Sequence, residues 1–306
     1  MKIVIPGGTG QIGTVLHRAL TAAGHEVVII SRHQGVHWDG RTLGPWADEI
    51  NGADVVINLA GRSVSCRYTA ENLQQMMRSR IDSARVVGEA IAKAETPPKV
   101  WLQMSTATIY AHRFDAANDE ATGVIGGREK DVPGYWAYSV EIAKRWEAEL
   151  NAAVTPQTRK VAMRAAIVMS PDRGGAFDYL SWLARLGLGG AVAGGRQYVS
   201  WIHDDDFVRA VAMLIREPVE GAVNLAAPNP LPQREFMREL RRAWRRPVGL
   251  PATAWMAEVG AFAIRSDTEL LLKSRRVVPG KLTRAGFEFH FPNWREAAQN
   301  LAERRR

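Results

Sequence analysis

Apolar residues fall into two kinds of pattern over the first half of the chain. Short runs without a polar face predict buried strands: KIVIP (Lys2 to Pro6), EVVIIS (Glu26 to Ser31), ADVVINLA (Ala53 to Ala60), KVWLQMS (Lys99 to Ser105) and KVAMRAAIVM (Lys160 to Met169). Between them lie longer amphipathic stretches, Gln11 to Ala23, Thr69 to Ala94 and Ala137 to Ala152, whose spacing predicts helices. Strand and helix alternate, and right-handed crossovers then place the strands in a Rossmann-type doubly wound parallel sheet, an α/β fold.

Past about Pro171 the pattern loosens. A glycine-rich segment, GLGGAVAGGR (Gly187 to Arg196), leads to a predicted helix over Asp206 to Arg216 and a strand-like AVNLAA (Ala222 to Ala227). Short helices between prolines follow, then FEFHFP (Phe287 to Pro292) and a terminal helix. The expected organisation is a Rossmann core over 1–170 and a smaller, mostly helical part over 171–306. That second part walls the substrate cleft and returns some segments to the sheet.

With 306 residues, 46% of them apolar and 24% charged, the chain can bury a sizeable core and resembles an ordinary globular protein. MKIVIPGGTG turns glycine-rich too early for a signal peptide, and no apolar run is long enough to span a bilayer, so a soluble, cytoplasmic protein is expected. The single cysteine, Cys66, rules out an intrachain disulfide and a cysteine-based zinc site. It neighbours Arg67, but a solitary thiol is a weak candidate for redox work. The net charge of +8 has a late component in Arg241, Arg242, Arg245, Arg246, Arg275, Arg276 and Arg304 to Arg306. These lie on separate segments without a nucleic-acid motif, so solvated faces or attraction of a small anion are favoured over a polyanion partner.

The most informative stretch is Gly7-Gly8-Thr9-Gly10-Gln11-Ile12-Gly13, set between a strand and a helix as a dinucleotide fingerprint must be. Gly7 permits a tight turn, Gly10 lets backbone approach a pyrophosphate, and Gly13 lets the helix close on the sheet. The helix beginning near Gln11 aims its free N–H groups and positive dipole end at the phosphates. The second strand ends in Ser31-Arg32-His33, where a free ribose 2′-hydroxyl would want an acid. Arg32 instead suits a 2′-phosphate, with Ser31 as a second donor, so NADP is favoured over NAD. The third strand ends in Asn58-Leu59-Ala60-Gly61, whose small residues leave room for a cofactor or simply end a strand.

These residues, together with SWIHDDDFVRA (Ser200 to Ala210), GLGGAVAGGRQ (Gly187 to Gln197) and ELLLKSRRVVPGKLTRAGFEF (Glu269 to Phe289), resemble an atypical short-chain dehydrogenase/reductase family. It is the "epimerase family", within the NAD-dependent epimerase/dehydratase superfamily, whose members carry a C-terminal domain of unknown function. The resemblance implies Ser31 and Arg32 as the 2′-phosphate pair and Leu59 and Ala60 as backbone under the cofactor. It further implies Arg80 as a residue facing the cofactor from the long helix, and Val168 near the nicotinamide end.

Working short-chain reductases use a tyrosine as acid or base and a lysine four residues on. In WAYSVEIAKRWE, Tyr138 and Lys144 are six apart, about 600° around a helix, so they diverge by roughly 120° and cannot act together. Aligning on Trp146-Glu147 puts Ser139 and Ala143 at the two positions, and the resembled family also generally lacks the pair; Glu147 reads as structural. Thr106 aligns with the hydroxyl that orients a substrate carbonyl, or it caps a strand end. Tyr110 and Tyr135 are sources of a displaced phenol. Arg196, Trp201 and His203 are candidates to contact substrate, with Asp206 expected to cap the following helix. His203 with Asp204 to Asp206 offers metal-ligand chemistry, but adjacent loop residues rarely converge on one ion, and no metal is expected. Two functional readings stay open: an NADP(H)-dependent oxidoreductase or epimerase acting on a small polar or nucleotide-sugar-like substrate, and a non-catalytic NADPH-binding redox sensor or regulatory protein.

Overall fold

The computed structural model describes residues 1–130, 132–253, 256 and 269–306. Its centre is a parallel sheet whose strands are β1 (Lys2–Pro6), β2 (Glu26–Ser31), β3 (Val36–His37), β4 (Val55–Asn58), β5 (Val100–Thr106), β6 (Arg159–Ala165) and β10 (Gly221–Leu225). They lie in the order β10-β6-β5-β4-β1-β2-β3. The order reverses beside β1: the chain runs outward through β2 and β3, then returns to lay β4 on the other flank. The carboxyl ends of β1 and β4 therefore border the crevice in which such sheets bind ligands.

Alternate residues on each strand go to opposite faces, and both faces are covered. Ile3, Ile5, Val55, Ile57, Leu102, Val161 and Met163 pack with Leu16 and Leu20 of α1 (Gln11–Ala22) and with Phe207, Val211 and Leu214 of α5 (Asp204–Arg216). Val4, Val56, Trp101 and Ala162 face the other way, against Val86, Val87 and Ile91 of α2 (Ala70–Lys93) and Leu150 of α3 (Tyr135–Ala152). Thr69 caps α2 by accepting the Asn72 amide on its hydroxyl. Among the described residues no helix is long and apolar enough to cross a membrane.

Two features differ from the sequence pattern. Lys160 to Met169 is not one strand. It breaks at Ala166, whose amide turns to the Leu225 carbonyl, and β7 (Ile167–Met169) leaves the sheet to pair with β9 (Trp201–His203), which follows the short β8 (Tyr198–Val199). A helix, α4 (Ala176–Arg185), occupies a stretch for which the pattern predicted no element. The sheet also takes its edge strand β10 from the second part of the chain, and α5 lies in the main core, so the two parts interlock.

The second part is closed by a terminal helix, Trp294–Arg305, laid on α6 (Gln233–Ala243). The Trp294 indole donates to the Phe236 carbonyl at 2.8 Å, and its ring stacks on Phe236 with centroids 4.0 Å apart.

Candidate functional site

The crevice begins with the loop from β1 to α1. Gly7 has φ +77°, a left-handed conformation open to glycine, and a Cβ there would stand 2.6 Å from the backbone of Ala60. A Cβ on Gly13 would stand 2.2 Å from the Gly8 carbonyl oxygen. The loop is thus folded tightly on itself and on the end of β4. At Gly10 the opposite holds: the nearest protein atom to a Cβ would be 3.9 Å away. Gly10 is also the N-cap of α1; it makes no side-chain cap, and no acid lies in the first turn. The amides of Gln11, Ile12 and Gly13, with the positive end of the helix dipole, thus face a space that a pyrophosphate fits. Thr9 sits exposed at the loop tip. The Gln11 amide Nε2 is buried without a hydrogen-bond partner among the described residues, beside Gly175, the N-cap of α4.

At the end of β2, Ser31 and Arg32 divide their work. The Ser31 hydroxyl donates to the Gln34 carbonyl at 2.5 Å and accepts the Gln34 amide at 2.9 Å. Its one hydrogen is therefore held within the turn, and Ser31 shapes the loop instead of supplying the second donor expected of it. Arg32 is exposed, and among the described residues its guanidinium forms no ion pair. A 2′-phosphate is a fitting counter-ion.

The end of β4 is held from below. Asn58 donates to Gln103 at 3.0 Å in the core and accepts the Ala60 amide at 3.0 Å, while the Leu59 amide donates to the Pro6 carbonyl. Leu59 and Ala60 are half-buried, with Gly61 beside them. Across this edge lies Arg80: a Cβ on Gly61 would meet its Cγ and Cζ at 3.3 Å. Arg80 donates to the Met76 carbonyl at 3.0 Å and lies over the Trp146 ring, 5.0 Å from the centroid. Burial pushes this guanidinium down to about 10, and among the described residues no carboxylate pairs with it. Val168, by contrast, turns its side chain into the main core, paired with Ile202 on β9, leaving only its backbone to offer.

On α3 the expected divergence is observed. Lys144 is exposed and paired with Glu141 at 3.1 Å, whereas Tyr138 packs beside Leu73, Met76, Met77 and Ile142. Ser139 and Ala143 face inward, and Ala143 packs against Ala107 and Tyr110 in the turn after β5. Thr106 opens that turn, its Oγ1 accepting the Thr108 amide at 3.1 Å. Tyr110 is no displaced phenol. It is 2% exposed, donates to Asn224 at 2.9 Å and accepts from Arg164 at 2.9 Å, and burial pushes its hydroxyl up. Tyr135 meets Tyr68 edge to face. Glu147 is structural, forming a bidentate pair with Arg164 at 2.8 and 2.7 Å.

Two of the three substrate candidates are elsewhere. Trp201 is 0% exposed, its ring 4.9 Å from Trp294. His203 is 0% exposed, stacks on Phe291 and has Nε2 3.1 Å from Asn300 Oδ1. Its Nδ1 accepts the Asp205 amide, so His203 caps α5, the role expected of Asp206, and Nε2 carries the proton. Both rings anchor the tail of the chain. Arg196 is exposed in the glycine-rich turn. Asp205, Asp206 and His290 offer ligand atoms within 4.8 Å of one another. Asp206, however, already accepts the amides of His290 and Phe291, at 2.8 and 2.9 Å, and serves to clamp that loop.

The residues that sequence reasoning passed over come from the late ELLLKSRR segment. Glu269 and Lys273 are buried, and Glu269 Oε2 accepts the Ser139 hydroxyl at 2.6 Å. The signal was an acid and a base four apart around three leucines, the spacing of one helix face.

Residues 3–226 match the NAD dependent epimerase/dehydratase family, and residues 252–301 match a domain of unknown function, DUF1731. The chain is 33% identical to the bovine epimerase family protein SDR39U1 over 95% of its length and 96% of that protein's. It is 29% identical to the epimerase family protein YfhF of Bacillus subtilis, over 100% of this chain and 99% of that one. A crystal structure of human SDR39U1 (isoform 2) with NADPH superposes with a TM-score of 0.84 at 28% identity, covering 99% of each chain.

Proposed function

The chain belongs to the NAD dependent epimerase/dehydratase family, and from that premise we propose that it is an NADP(H)-dependent oxidoreductase or epimerase acting on a small polar, nucleotide-sugar-like carbonyl substrate. The observation that carries the reading is the pairing of an uncapped, acid-free α1 N-terminus with the exposed guanidinium of Arg32 at the end of the neighbouring strand. One site is built for a pyrophosphate and the other for a further phosphate, one strand away. The human relative crystallised with NADPH supports the same choice of nucleotide.

Gly7, Thr9, Gly10, Gln11, Ile12 and Gly13 would hold the pyrophosphate, Arg32 the 2′-phosphate, and Leu59, Ala60 and Arg80 the floor towards the reacting end. When bound, the dinucleotide supplies a hydride to a carbonyl carbon or accepts one from a carbinol. The protein's part is to orient the two reactants, with Thr106 beside the substrate oxygen, and to exclude water. Titrating the purified chain with NADPH and NADH, then mixing the NADPH complex with a panel of carbonyl compounds and nucleotide sugars in single turnover, tests both halves. Binding of neither nucleotide removes the proposal. Tight NADPH binding without turnover, together with a partner held only by the NADPH complex, replaces it with the redox-sensor reading.

A further inference from the structure

Three ionic side chains from the far end of the chain are buried beside α3. Glu269 is 1% exposed, Lys273 2% and Arg275 7%. Lys273 Nζ stands 3.5 Å from Glu269 Oε1 and donates to the Thr108 carbonyl at 3.0 Å. Arg275 Nε reaches Thr108 Oγ1 at 3.3 Å, and Ser139 Oγ donates to Glu269 Oε2 at 2.6 Å. Thr108 in turn donates its amide to Thr106. The cluster therefore connects Ser139, which stands where the reductase tyrosine would be, to the turn that carries the substrate-orienting hydroxyl.

Packing alone is a poor reason for this arrangement. Taking an ion pair out of water costs several kcal/mol, and apolar residues of similar volume hold a segment as well or better. The charges are also placed asymmetrically, since the carboxyl reaches the hydroxyl on α3 while the ammonium supports the turn. We propose that Ser139 and Glu269, supported by Lys273, deliver the proton that accompanies hydride transfer, in place of the absent tyrosine and lysine. The inference rests on the NADP(H)-dependent reading above.

In the direction of reduction, the carbonyl carbon gains a hydride from the bound NADPH, and the π pair of the C=O bond passes to oxygen. With the Glu269 carboxyl protonated, its O–H donates to Ser139 Oγ and frees the Ser139 hydroxyl to turn to that oxygen. The oxygen takes the hydroxyl proton while Ser139 recovers one from the carboxyl. Glu269 is left as a carboxylate beside the Lys273 ammonium and is reprotonated from solvent. The carbonyl is reduced to an alcohol and the dinucleotide oxidised, two electrons and one proton being accounted for. Ser139 touches the reacting oxygen; Glu269 and Lys273 are positioning residues that act through it. Burial favours the required protonation, holding the Glu269 carboxyl above its ordinary range and pushing Lys273 down to about 8. Among the described residues, the other charged or titratable groups facing the cluster include Arg275, Glu129, His112 and Tyr68.

Infrared spectroscopy of the full chain at neutral pH, with and without NADPH, tests the acid directly. The C=O stretch of a protonated carboxyl is expected, absent in E269Q and displaced by S139A. No such band in a chain that binds NADPH overturns the proposal and leaves the cofactor reading intact, whereas failure to bind NADPH defeats that reading first. In single turnover with the carbonyl panel, E269Q and S139A should slow NADPH oxidation by about 100-fold or more while retaining NADPH affinity, and S139T should recover part of the rate. K273M should shift the pH profile, which K273R should largely restore. Unchanged rates and pH profiles, or no turnover across the panel by the wild-type NADPH complex, overturn the proton role.

Discussion

Arg32 is the residue on which the proposed choice of NADPH over NADH turns. It is exposed and, among the described residues, free of ion pairs, so its substitution removes a ligand contact without opening the core. Arg32→Ala should weaken NADPH by about 2 kcal/mol, roughly 30-fold, and NADH by less than about threefold, as read by nucleotide fluorescence titration. Equal losses would remove Arg32 from the 2′-phosphate. Gly7→Ala should weaken both nucleotides alike, by about tenfold or more, because the strained turn must shift against the Ala60 backbone. The positions of both residues at the sheet edge were legible in sequence because they follow from local spacing. The Ser31 hydroxyl was not, since its proton is claimed by Gln34 only once the loop closes.

At the scale of elements, α3 is tied to the sheet by the Glu147–Arg164 pair. Each side chain is 12% exposed, and Ser105 on β5 donates to the same carboxylate at 2.6 Å. Arg164→Met leaves Glu147 without its counter-charge and Tyr110 without a donor. It should lower stability by about 3–5 kcal/mol in urea unfolding, the usual cost of breaking a buried pair. A loss below about 1 kcal/mol would mean that solvent screens the pair as it does on a surface. The divergence of Tyr138 from Lys144 could be read from helix periodicity alone. That Glu269 stands against Ser139 could not, because the two are 130 positions apart and only the packing of the C-terminal segment joins them. The break at Ala166 was hidden for a related reason: its residues are apolar on both sides, and hydrogen bonds to Leu225 and Ser200 decide where the strand divides.

At the scale of the whole molecule, the C-terminal part is held by aromatic packing and ion pairs that start from β9 and α5. Trp294 lies between Phe236 and Trp201, and Arg304 makes a bidentate pair with Asp204 at 2.7 and 2.8 Å. Trp294→Ala should cost about 3–5 kcal/mol, seen as a lower urea midpoint for the whole chain. A separate early transition would show instead that the tail unfolds by itself. Some of the late arginines have protein partners: Arg304 pairs with Asp204, Arg305 with Asp178 and Arg242 with Glu239, while Arg275 is buried.

Lys273 adds a pH dependence at the same scale. Below about 8 both folded and unfolded chains carry its charge, and the full burial penalty applies. Between about 8 and the ordinary 10.5 the folded chain has released a proton that the unfolded chain keeps, so stability should rise with pH across that window. Lys273→Met should abolish this rise, measured as the difference in unfolding free energy between the two proteins from pH 7 to 10.

The linear order of residues determined whatever depends on near neighbours. It determined the strand–loop–helix frame and the glycines that fold it. It also determined the exposed cation at the end of the second strand and the broken spacing of tyrosine and lysine, because turn geometry and helix periodicity operate over a few positions. Tertiary structure alone decided which distant groups share a dry space. It withdrew Trp201 and His203 into the anchoring of the tail and enclosed Tyr110 in a network with Arg164 and Asn224. It also carried Glu269 and Lys273 to the foot of α3. Burial and partnership are properties of the closed chain, where apolar packing brings together residues that no local pattern relates.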